Sequence, residues 1–428
     1  MSNERKDIEN IKFHSARGDK VVNIMRFVNK ETLKLQHDKQ QRGKAVGVDG
    51  IDKETYMYQL RKNLTNLEQR LKTLSYRPKP VKRTYIPKLN GKLRPLGIPS
   101  YEDRLVQGAM SEILEAVYEP KFLECSYGFR AERNCHDAIK EVNDCIMFKN
   151  ANYIVEADIK SFFDNVDHEI LMKMLEHDIN DKIFLRYIKR FLKSGYMEQM
   201  KKYESDKGTP QGGLISPILA NVYLHYTLDK WFEEIVKPSL RGKAYLVRFA
   251  DDFIIMFQYQ NDAEKVYKAI PLRFAKYGLE LAPDKTKVLP FGRYKGTKET
   301  FDFLGFTHFN SKGRNGKYTL GHRITKKKKR QKKDKIKKFL KEHMHDNLEE
   351  TTKKLNRILV GMYNYYGINN MLRELYKLYN YTIIMGYKIL KRRSQRNNLN
   401  FMTYIKLVKQ VFPLTEPTIK VNIWNYSI

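Results

Sequence analysis

The strongest constraint on the fold is a pair of adjacent carboxylates inside an apolar stretch. Asp251 and Asp252 separate the runs Tyr245–Phe249 and Phe253–Phe257. Two short apolar runs around a polar centre predict two β-strands with both acids at the tip between them. Adjacent Asp residues also occur in ordinary solvated turns, so the pair by itself does not identify a catalytic site.

A third carboxylate follows another apolar run. Tyr153–Ile159 predicts a short strand that brings Asp158 to its end. Joining a 3′-hydroxyl to a phosphate uses two Mg²⁺ ions roughly 4 Å apart, and such hard cations require oxygen ligands. Carboxylates on neighbouring strands suit that chemistry. Asp158, Asp251 and Asp252 are therefore candidate catalytic and metal-binding residues.

A glycine-rich loop, Gly208–Pro217, lies between the two acidic sites. Its glycines allow the backbone to approach a ligand closely. Gln211 can both donate and accept hydrogen bonds near a sugar or a base. Ser216-Pro217 suits the first turn of the helix predicted over Leu214–Trp231. Considered alone, the loop is better interpreted as an ordinary connection into a helix.

The chain is strongly basic, with 81 Lys and Arg residues against 49 Asp and Glu residues and a formal net charge of +32. This excess predicts a polyanionic partner, RNA or DNA, although a lysine-rich composition is also typical of AT-rich genomes. We find no long apolar run and no secretory signal, so no membrane partner is expected.

The cysteines at positions 125, 135 and 145 are too widely spaced for a zinc knuckle. Reduced thiols in a bacterial cytoplasm are expected.

The most biased segment is Lys326–Lys341, with eleven Lys or Arg residues against one acid. As a helix it carries lysines on all sides and a thin apolar stripe of Ile336, Phe339 and Leu340. A solvated charged helix fits this pattern, and so does a helix that contacts phosphates. Two more helices are predicted beyond it, over 348–366 and 371–391.

Three of these motifs, in this order along the chain, resemble the palm of reverse transcriptases. They are the strand that ends at Asp158, with Phe163 five residues later; the segment Pro210-Gln-Gly-x-x-x-Ser-Pro217; and the hairpin Phe249-Ala-Asp-Asp252. Further segments resemble the fingers, primer grip, thumb and tail of group II intron-encoded enzymes: Ile86–Pro99, Ser126–Arg130, Phe303–Phe306, Gly361–Gly367 and Arg392–Arg396. The first of these contains Asn90-Gly91 between two short alternating runs, a strong hairpin signal.

The resemblance implies a right-hand polymerase of the reverse-transcriptase type, with an α/β palm and fingers followed by an all-α thumb, or maturase X domain. It divides the chain into an N-terminal extension with the start of the fingers over 1–80, fingers over 81–150, a palm over 151–310 with a fingers insertion at about 168–205, a thumb or X domain over 311–400, and a short C-terminal tail over 401–428.

The resemblance also implies roles for individual residues. Asp158, Asp251 and Asp252 hold two Mg²⁺ ions, for which Mn²⁺ can substitute, with the backbone carbonyl of Ile159 as a further ligand.

Five residues are expected to contact the incoming nucleotide. Lys88 and Arg94 clamp its triphosphate, because ammonium and guanidinium groups both suit phosphate oxygens. Phe163 lies under the sugar as a steric gate against a 2′-hydroxyl. Gln211 contacts the nucleotide, and Lys285 lies near the pyrophosphate. Seven cations are expected to bind the nucleic acid backbone: Lys326, Lys327, Lys328, Lys329, Arg330, Lys333 and Lys337.

The function implied is an RNA-directed DNA polymerase that copies an RNA template into cDNA from a DNA or RNA primer and dNTPs. A maturase that binds group II intron RNA for splicing and retromobility is implied as well. Two alternatives stay open: a free-standing enzyme of antiphage defence with a non-coding RNA template, and a non-catalytic RNA-binding splicing factor. Retention of all three acids argues against the second. A viral-type RNA polymerase would favour Gly in place of Ala250.

Two departures from the family pattern have consequences. Phe249 stands where Tyr is more usual; it keeps the ring and lacks the hydroxyl, so activity is expected to survive with altered fidelity or processivity. The C-terminal half contains no cysteine, and few residues follow Arg396. A zinc-containing endonuclease domain is therefore not expected.

Overall fold

The structure is a computed structural model that describes residues 3–87, 93–198, 201–204, 206–209, 212–313, 315–393 and 399–424, with side chains from residue 8 onward. The chain forms two compact units. The first consists of Met1–Asn134, Val155–Ile255 and Asn261–Val288, and the second of Cys135–Ile154, Met256–Gln260 and Leu289–Ile428. Among the described residues, we find no helix with the length and apolar character needed to cross a bilayer.

The described residues contain the following α-helices: α1 (Asn3–Ala16), α2 (Lys30–Lys39), α3 (Lys53–Met57), α4 (Leu60–Lys72), α5 (Tyr101–Tyr118), α6 (Cys135–Phe148), α7 (Phe162–Asn165), α8 (His168–Asp178), α9 (Lys182–Leu192), α10 (Ser216–Leu224), α11 (Gln260–Ala275), α12 (Lys326–Glu342), α13 (Leu348–Tyr366), α14 (Leu372–Leu390) and α15 (Phe401–Lys406).

The strands are β1 (Val21–Val22), β2 (Val81–Pro87), β3 (Leu93–Ile98), β4 (Tyr153–Asp158), β5 (Ile179–Asn180), β6 (Tyr196–Glu198), β7 (Lys201–Tyr203), β8 (Ala244–Phe249), β9 (Asp252–Phe257), β10 (Lys287–Pro290), β11 (Thr300–Phe303), β12 (Phe306–Lys312) and β13 (Tyr318–Ile324). The larger sheets have the strand orders β10-β4-β9-β8, β3-β2-β6-β7 and β11-β12-β13, and β1 pairs with β5.

Helix α5 is the central helix of the first unit. Leu105, Val106, Met110 and Leu114 are fully buried along it, and it packs against α1, α2 and α10. Nearly every position of α10 is also buried, which explains its continuous apolar sequence. The chain after α10 continues through π-helical turns to Val236. Helix α10 and these turns each carry one polar side chain, Asn221 and Asp229, that contacts the hairpin formed by β8 and β9.

The second unit combines a small antiparallel sheet with helices. In the pairing of β12 with β13, Phe306 lies opposite Ile324 and Lys312 lies opposite Tyr318. Helix α12 begins at the N-cap Thr325, whose hydroxyl accepts a hydrogen bond from the Lys328 amide. It buries only a narrow stripe and packs against α13 and α14.

Several predicted elements are confirmed. The flanks of the predicted hairpin form β2 and β3, which pair antiparallel with Lys82 opposite Ile98 and Pro87 opposite Leu93; the turn at Asn90-Gly91 lies outside the described residues. The helix predicted over 348–366 is observed with the same bounds, and that predicted over 371–391 spans Leu372–Leu390. Strong apolar periodicity over long segments explains this agreement.

Two elements differ from the prediction. Strand β13 lies within 311–400, the range expected to be all-α, and the helical part begins only at Lys326. Buried and exposed positions alternate at the end of Tyr318–Ile324, where His322 is buried and Arg323 is exposed. The sequence does not reveal this strand, because both of these residues are polar. The helix predicted over Leu214–Trp231 begins at Ser216 and extends to Val236, because π-helical turns continue the segment.

Candidate active site

The paired carboxylates lie at the tip of the hairpin formed by β8 and β9, as predicted. Asp251 is half-buried and Asp252, the first residue of β9, is exposed. The preceding residue, Ala250, adopts a left-handed conformation with φ of +56°. This conformation costs a residue with a β-carbon about 1 kcal/mol or more, so surrounding contacts must hold it in place.

The contact that holds the hairpin tip is a buried arginine. Arg248 has no exposed surface, and its Nη1 donates to the carbonyl of Ala250 at 3.1 Å. Nε and Nη2 donate to the two carboxylate oxygens of Asp229 at 2.7 Å and 2.5 Å. Burial opposes the charged form, but the ion pair with Asp229 raises the pKa of the guanidinium above its ordinary value. Arg248 therefore stays charged in the interior.

Two neutral side chains complete the hydrogen bonds of Arg248. Its Nη1 also donates to Oδ1 of Asn221 at 2.9 Å, and its Nη2 donates to the hydroxyl of Ser126 at 2.7 Å. These hydrogen-bond partners of the Arg248 guanidinium matter because an unpaired buried charge would strongly destabilise the fold. Sequence reasoning missed this residue; the available signal was a single charge inside the apolar strand Ala244–Phe249.

The segment Ser126–Arg130 lies directly against the hairpin. The Tyr127 amide donates to the carbonyl of Arg248 at 2.8 Å, and the Asn221 amide group donates to the carbonyl of Gly128 at 2.7 Å. A β-carbon on Gly128 would lie 2.4 Å from the backbone nitrogen of Ala250. Only glycine allows this approach. A segment that resembles the fingers thus contacts the residue next to the paired carboxylates Asp251 and Asp252.

Asp158 ends β4, as the sequence predicts. The Ala282 amide donates to the Asp158 carbonyl, and the Lys160 amide donates to the Glu280 carbonyl, both at 2.8 Å. In such an antiparallel ladder, the groups of the intervening residue point to the other side. The carbonyl of Ile159 therefore points away from its strand partner Leu281, and Ile159 lines the cleft described below.

Asp158 and Asp251 interact electrostatically. The pKa of Asp251 is raised, first by burial and further by the negative charge of Asp158. The ammonium group of Lys285 forms an ion pair with Asp158. The hydrogen bond from this ammonium to Asp158 raises the pKa of Lys285, so Lys285 is charged at neutral pH. Two carboxylates held close together, here those of Asp158 and Asp251, are typical of a site that binds positively charged ligands.

A cleft with a volume of about 600 Å³ contains these groups. It is within the size range of small-molecule sites. All three carboxylates line it, together with Ile159, Arg94, Phe163 and Lys285. The structure therefore brings together seven of the nine residues predicted for catalysis and nucleotide binding. The other two, Lys88 and Gln211, lie outside the described residues.

Phe163 is positioned by its neighbours in α7. Phe162 is buried and its ring meets that of Phe163 edge-on, with centroids 5.3 Å apart. The Thr209 amide donates to the Phe163 carbonyl at 2.8 Å, which joins the glycine-rich loop to α7. Across the same loop, a β-carbon on Gly212 would lie 2.3 Å from the carbonyl oxygen of Gly97 in β3. Thr209 is thus held against the helix that carries Phe163, and Gly212 packs closely against the strand that carries Arg94.

The seven cations predicted to bind a nucleic acid backbone all lie on α12, in the second unit. Lys329 is half-buried and pairs with Glu374 at 2.7 Å, and the ammonium of Lys333 lies 4.8 Å from the ring centroid of Tyr381. These two cations contribute to packing against α14. The remaining five are exposed: Lys326, Lys327, Lys328, Arg330 and Lys337.

The donor set of the cleft fits Mg²⁺. Among the described residues, no three His, Cys, Asp or Glu side chains are close enough to enclose a metal by themselves. Mg²⁺ in nucleotide sites is commonly bound by one or two carboxylates together with substrate phosphates. Asp158, Asp251, Asp252 and the Ile159 carbonyl supply oxygen donors of this kind at one cleft.

Comparison with protein families agrees with this geometry. The family model described as reverse transcriptase (RNA-dependent DNA polymerase) matches residues 86–308, just over half of the chain. The chain belongs to the reverse transcriptase family. A second model, the group II intron maturase-specific domain, matches residues 329–405. The two matches confirm the resemblance of the sequence to reverse transcriptases and to group II intron maturases.

Curated relatives include intron-encoded proteins. The group II intron-encoded protein LtrA of Lactococcus lactis subsp. cremoris is 48% identical over 164 residues, which cover 38% of this chain and 27% of LtrA. Protein YkfC of Escherichia coli is 36% identical over 239 residues, covering 49% of this chain and 62% of YkfC. An uncharacterized 91 kDa protein in the cob intron of Schizosaccharomyces pombe is 34% identical over 209 residues, 49% of this chain and 26% of that protein. The matches span less than two thirds of each relative.

Replacing Gly128 with Ala should reduce primer extension without unfolding the protein. The new methyl group would push the Ala250 amide by several tenths of an ångström, and displacements of about 1 Å at a reactive centre can cost about a hundredfold in rate. Steady-state extension rates and urea-unfolding midpoints test this. Gly361→Ala is the matched control, since a β-carbon there meets no neighbouring atom. Extension at the parental rate by Gly128→Ala would show that the close approach of Gly128 to Ala250 does not affect catalysis.

Replacing Arg248 with Met should destabilise the chain by about 3–5 kcal/mol, because Asp229 would be left buried and unpaired. The double variant Arg248→Met/Asp229→Leu should recover much of this stability. Its extension rate should nevertheless stay low, since no group would then donate to the Ala250 carbonyl. Urea unfolding and primer extension on both variants separate the two effects. Full recovery of activity in the double variant would show that Arg248 contributes only to stability.

Proposed function

We propose that this chain is an RNA-directed DNA polymerase, which extends the 3′-hydroxyl of a DNA or RNA primer with dNTPs on an RNA template. The observation that carries the proposal is the cleft where Asp158, Asp251 and Asp252 meet two cationic side chains, Arg94 and Lys285. Membership of the reverse transcriptase family supports it. The match to a maturase-specific domain supports a second role, the binding of group II intron RNA for splicing and mobility.

In the proposed mechanism, Asp158, Asp251, Asp252 and the Ile159 carbonyl would hold two Mg²⁺ ions, for which Mn²⁺ could substitute. When bound, the ions would lower the pKa of the 3′-hydroxyl and neutralise charge on the pyrophosphate. Most of the remaining catalysis is positioning and charge stabilisation.

The other cleft residues position the nucleotide. The exposed guanidinium of Arg94 binds the triphosphate, a task shared with Lys88. Lys285 holds a proton at its Nζ, beside the carboxylate of Asp158, and can donate it to the leaving pyrophosphate. The ring of Phe163 lies under the sugar and excludes a 2′-hydroxyl, and Gln211 contacts the incoming nucleotide.

The template–primer backbone is held by the exposed lysines of α12. Such contacts are independent of base sequence and weaken with salt, because each neutralised phosphate releases counterions. The division into fingers, palm, thumb and tail stays a prediction, as does a cytoplasmic location in a bacterium. A role in antiphage defence has no separate support from any observation on this chain.

Replacing Asp251 with Asn should abolish primer extension, by roughly three orders of magnitude or about 4 kcal/mol in activation free energy, while RNA binding persists. The amide has nearly the shape of the carboxylate and lacks its charge. Extension assays and filter binding of an RNA–DNA hybrid provide the two readouts. Asp346→Asn, at an exposed aspartate of the second unit, should behave as the parent. Extension at the parental rate by Asp251→Asn would remove this carboxylate from the mechanism.

Replacing Phe163 with Val should raise ribonucleotide incorporation roughly tenfold or more relative to deoxynucleotides, because the smaller side chain leaves room for a 2′-hydroxyl. The ratio of kcat/KM for an rNTP and the matching dNTP is the measurement. Phe148→Val, at an exposed phenylalanine of α6, is the control and should keep the parental ratio. An unchanged ratio in Phe163→Val would reject the gate.

A further inference from the structure

A second concave surface of the first unit is basic. Among the described residues, eight line it: six are Lys or Arg, the other two are Pro78 and Ser194, and none is acidic. We call it the α9 groove. It shares no lining residue with the catalytic cleft. Its cations are Arg77, Arg186, Lys189, Arg190, Lys193 and Lys202.

Three separate chain segments build the α9 groove. Helix α9 buries its apolar face, which includes Phe184, Ile188 and Phe191, so its basic residues lie on the outer face. Lys189, Arg190 and Lys193 follow Arg186 by three, four and seven residues, which places the four cations in one stripe along the helix. Arg77 comes from the segment after α4, and Lys202 comes from β7.

Two guanidinium groups of the groove are held at the same place. Nη1 of Arg190 donates to the carbonyls of Leu74 at 3.1 Å and Tyr76 at 2.9 Å. Nη1 of Arg77 donates to the same two carbonyls at 2.8 Å and 3.4 Å. Two like charges fixed side by side repel each other, and an anion bound between them would relieve that repulsion.

The groove cations also lack acidic partners. Within the part of the chain that the structure describes, none of the six forms an ion pair with a carboxylate. Other arginines of the first unit do, such as Arg70 with Glu102 at 2.7 Å and Arg130 with Glu119 at 2.8 Å. The dipole of α9 favours cations in its last turn. It does not account for Arg77 and Lys202, which come from outside the helix.

We propose that the α9 groove binds the sugar–phosphate backbone of a folded RNA at a site separate from the catalytic cleft. The choice of RNA rests on the proposed function. From Arg186 to Lys193 the stripe is about 10 Å long, which corresponds to about three phosphates along one strand of a duplex. Guanidinium forks can bind phosphate oxygens in pairs. The groove would thus hold RNA by its backbone while another part of the same molecule occupies the cleft.

The test compares two double variants that each remove two exposed lysines. Lys189→Gln/Lys193→Gln alters the groove and leaves the contacts of Arg77 and Arg190 intact. Lys265→Gln/Lys268→Gln, on the exposed face of α11, is the charge-matched control. The probe is a long folded RNA transcribed from the sequence around the coding region and blocked at its 3′ end. Its affinity is measured by filter binding over a range of salt concentrations.

We expect the groove variant to bind this RNA roughly tenfold more weakly than the control at about 0.1 M salt. Its plot of log affinity against log salt should be less steep by about 1.5, since each lost phosphate contact contributes about 0.7–0.9. Equal affinity and slope in the two variants would overturn the proposal. Loss of affinity for duplex DNA with unchanged affinity for RNA would also overturn it.

Primer extension on a short DNA-primed RNA template separates this proposal from the polymerase assignment. The groove variant should extend such a template at the parental rate, because the cleft and the exposed cations of α12 hold it without the groove. A fall in extension parallel to the fall in RNA affinity would make the groove part of the template path and contradict a separate site. If the parent itself does not extend primers, the polymerase assignment fails, and the binding comparison still decides the groove.

Discussion

The buried ion pair between Arg248 and Asp229 is the interaction on which the hairpin that carries Asp251 and Asp252 depends. One guanidinium connects two helical segments with the carbonyl of Ala250: α10, through Asn221, and the turns that follow it, through Asp229. Ala250 has an unfavourable left-handed conformation. Because a buried charge cannot be left without its partners, the network fixes the backbone immediately before Asp251. The stability of the fold and the geometry of the site therefore rest on the same contact.

The sequence predicts the elements whose chemistry is local. The strand ending at Asp158, the hairpin with Asp251 and Asp252 at its tip, and α13 follow from apolar runs and periodicity, which depend on near neighbours in the chain. Seven of the nine predicted catalytic and nucleotide-binding residues line one cleft. The order of the motifs along the chain made that prediction possible through the resemblance to a family.

The parts that the sequence does not reveal depend on contacts between distant residues. Arg248 looks like an interruption of a strand until Asp229 and Ser126 are seen beside it. Gly128 looks like an ordinary loop glycine until the Ala250 amide is found 2.4 Å from the place of its missing β-carbon. Strand β13 was hidden because its buried positions include histidine and glycine. Tertiary packing decides each of these cases.

The same limit applies to charge. A net charge of +32 indicates a polyanionic partner without saying which cations meet it. The structure separates cations that pair with carboxylates of the second unit, such as Lys329, from the cations of the α9 groove, which form no ion pair among the described residues. The carboxylates of the cleft are proposed to catalyse DNA synthesis on an RNA template. The most direct measurement is extension of a labelled DNA primer on an RNA template by the unaltered protein, with dNTPs and Mg²⁺. Full-length cDNA that disappears on chelation of the metal is the predicted result, and binding of the primer–template without any extension would contradict the account.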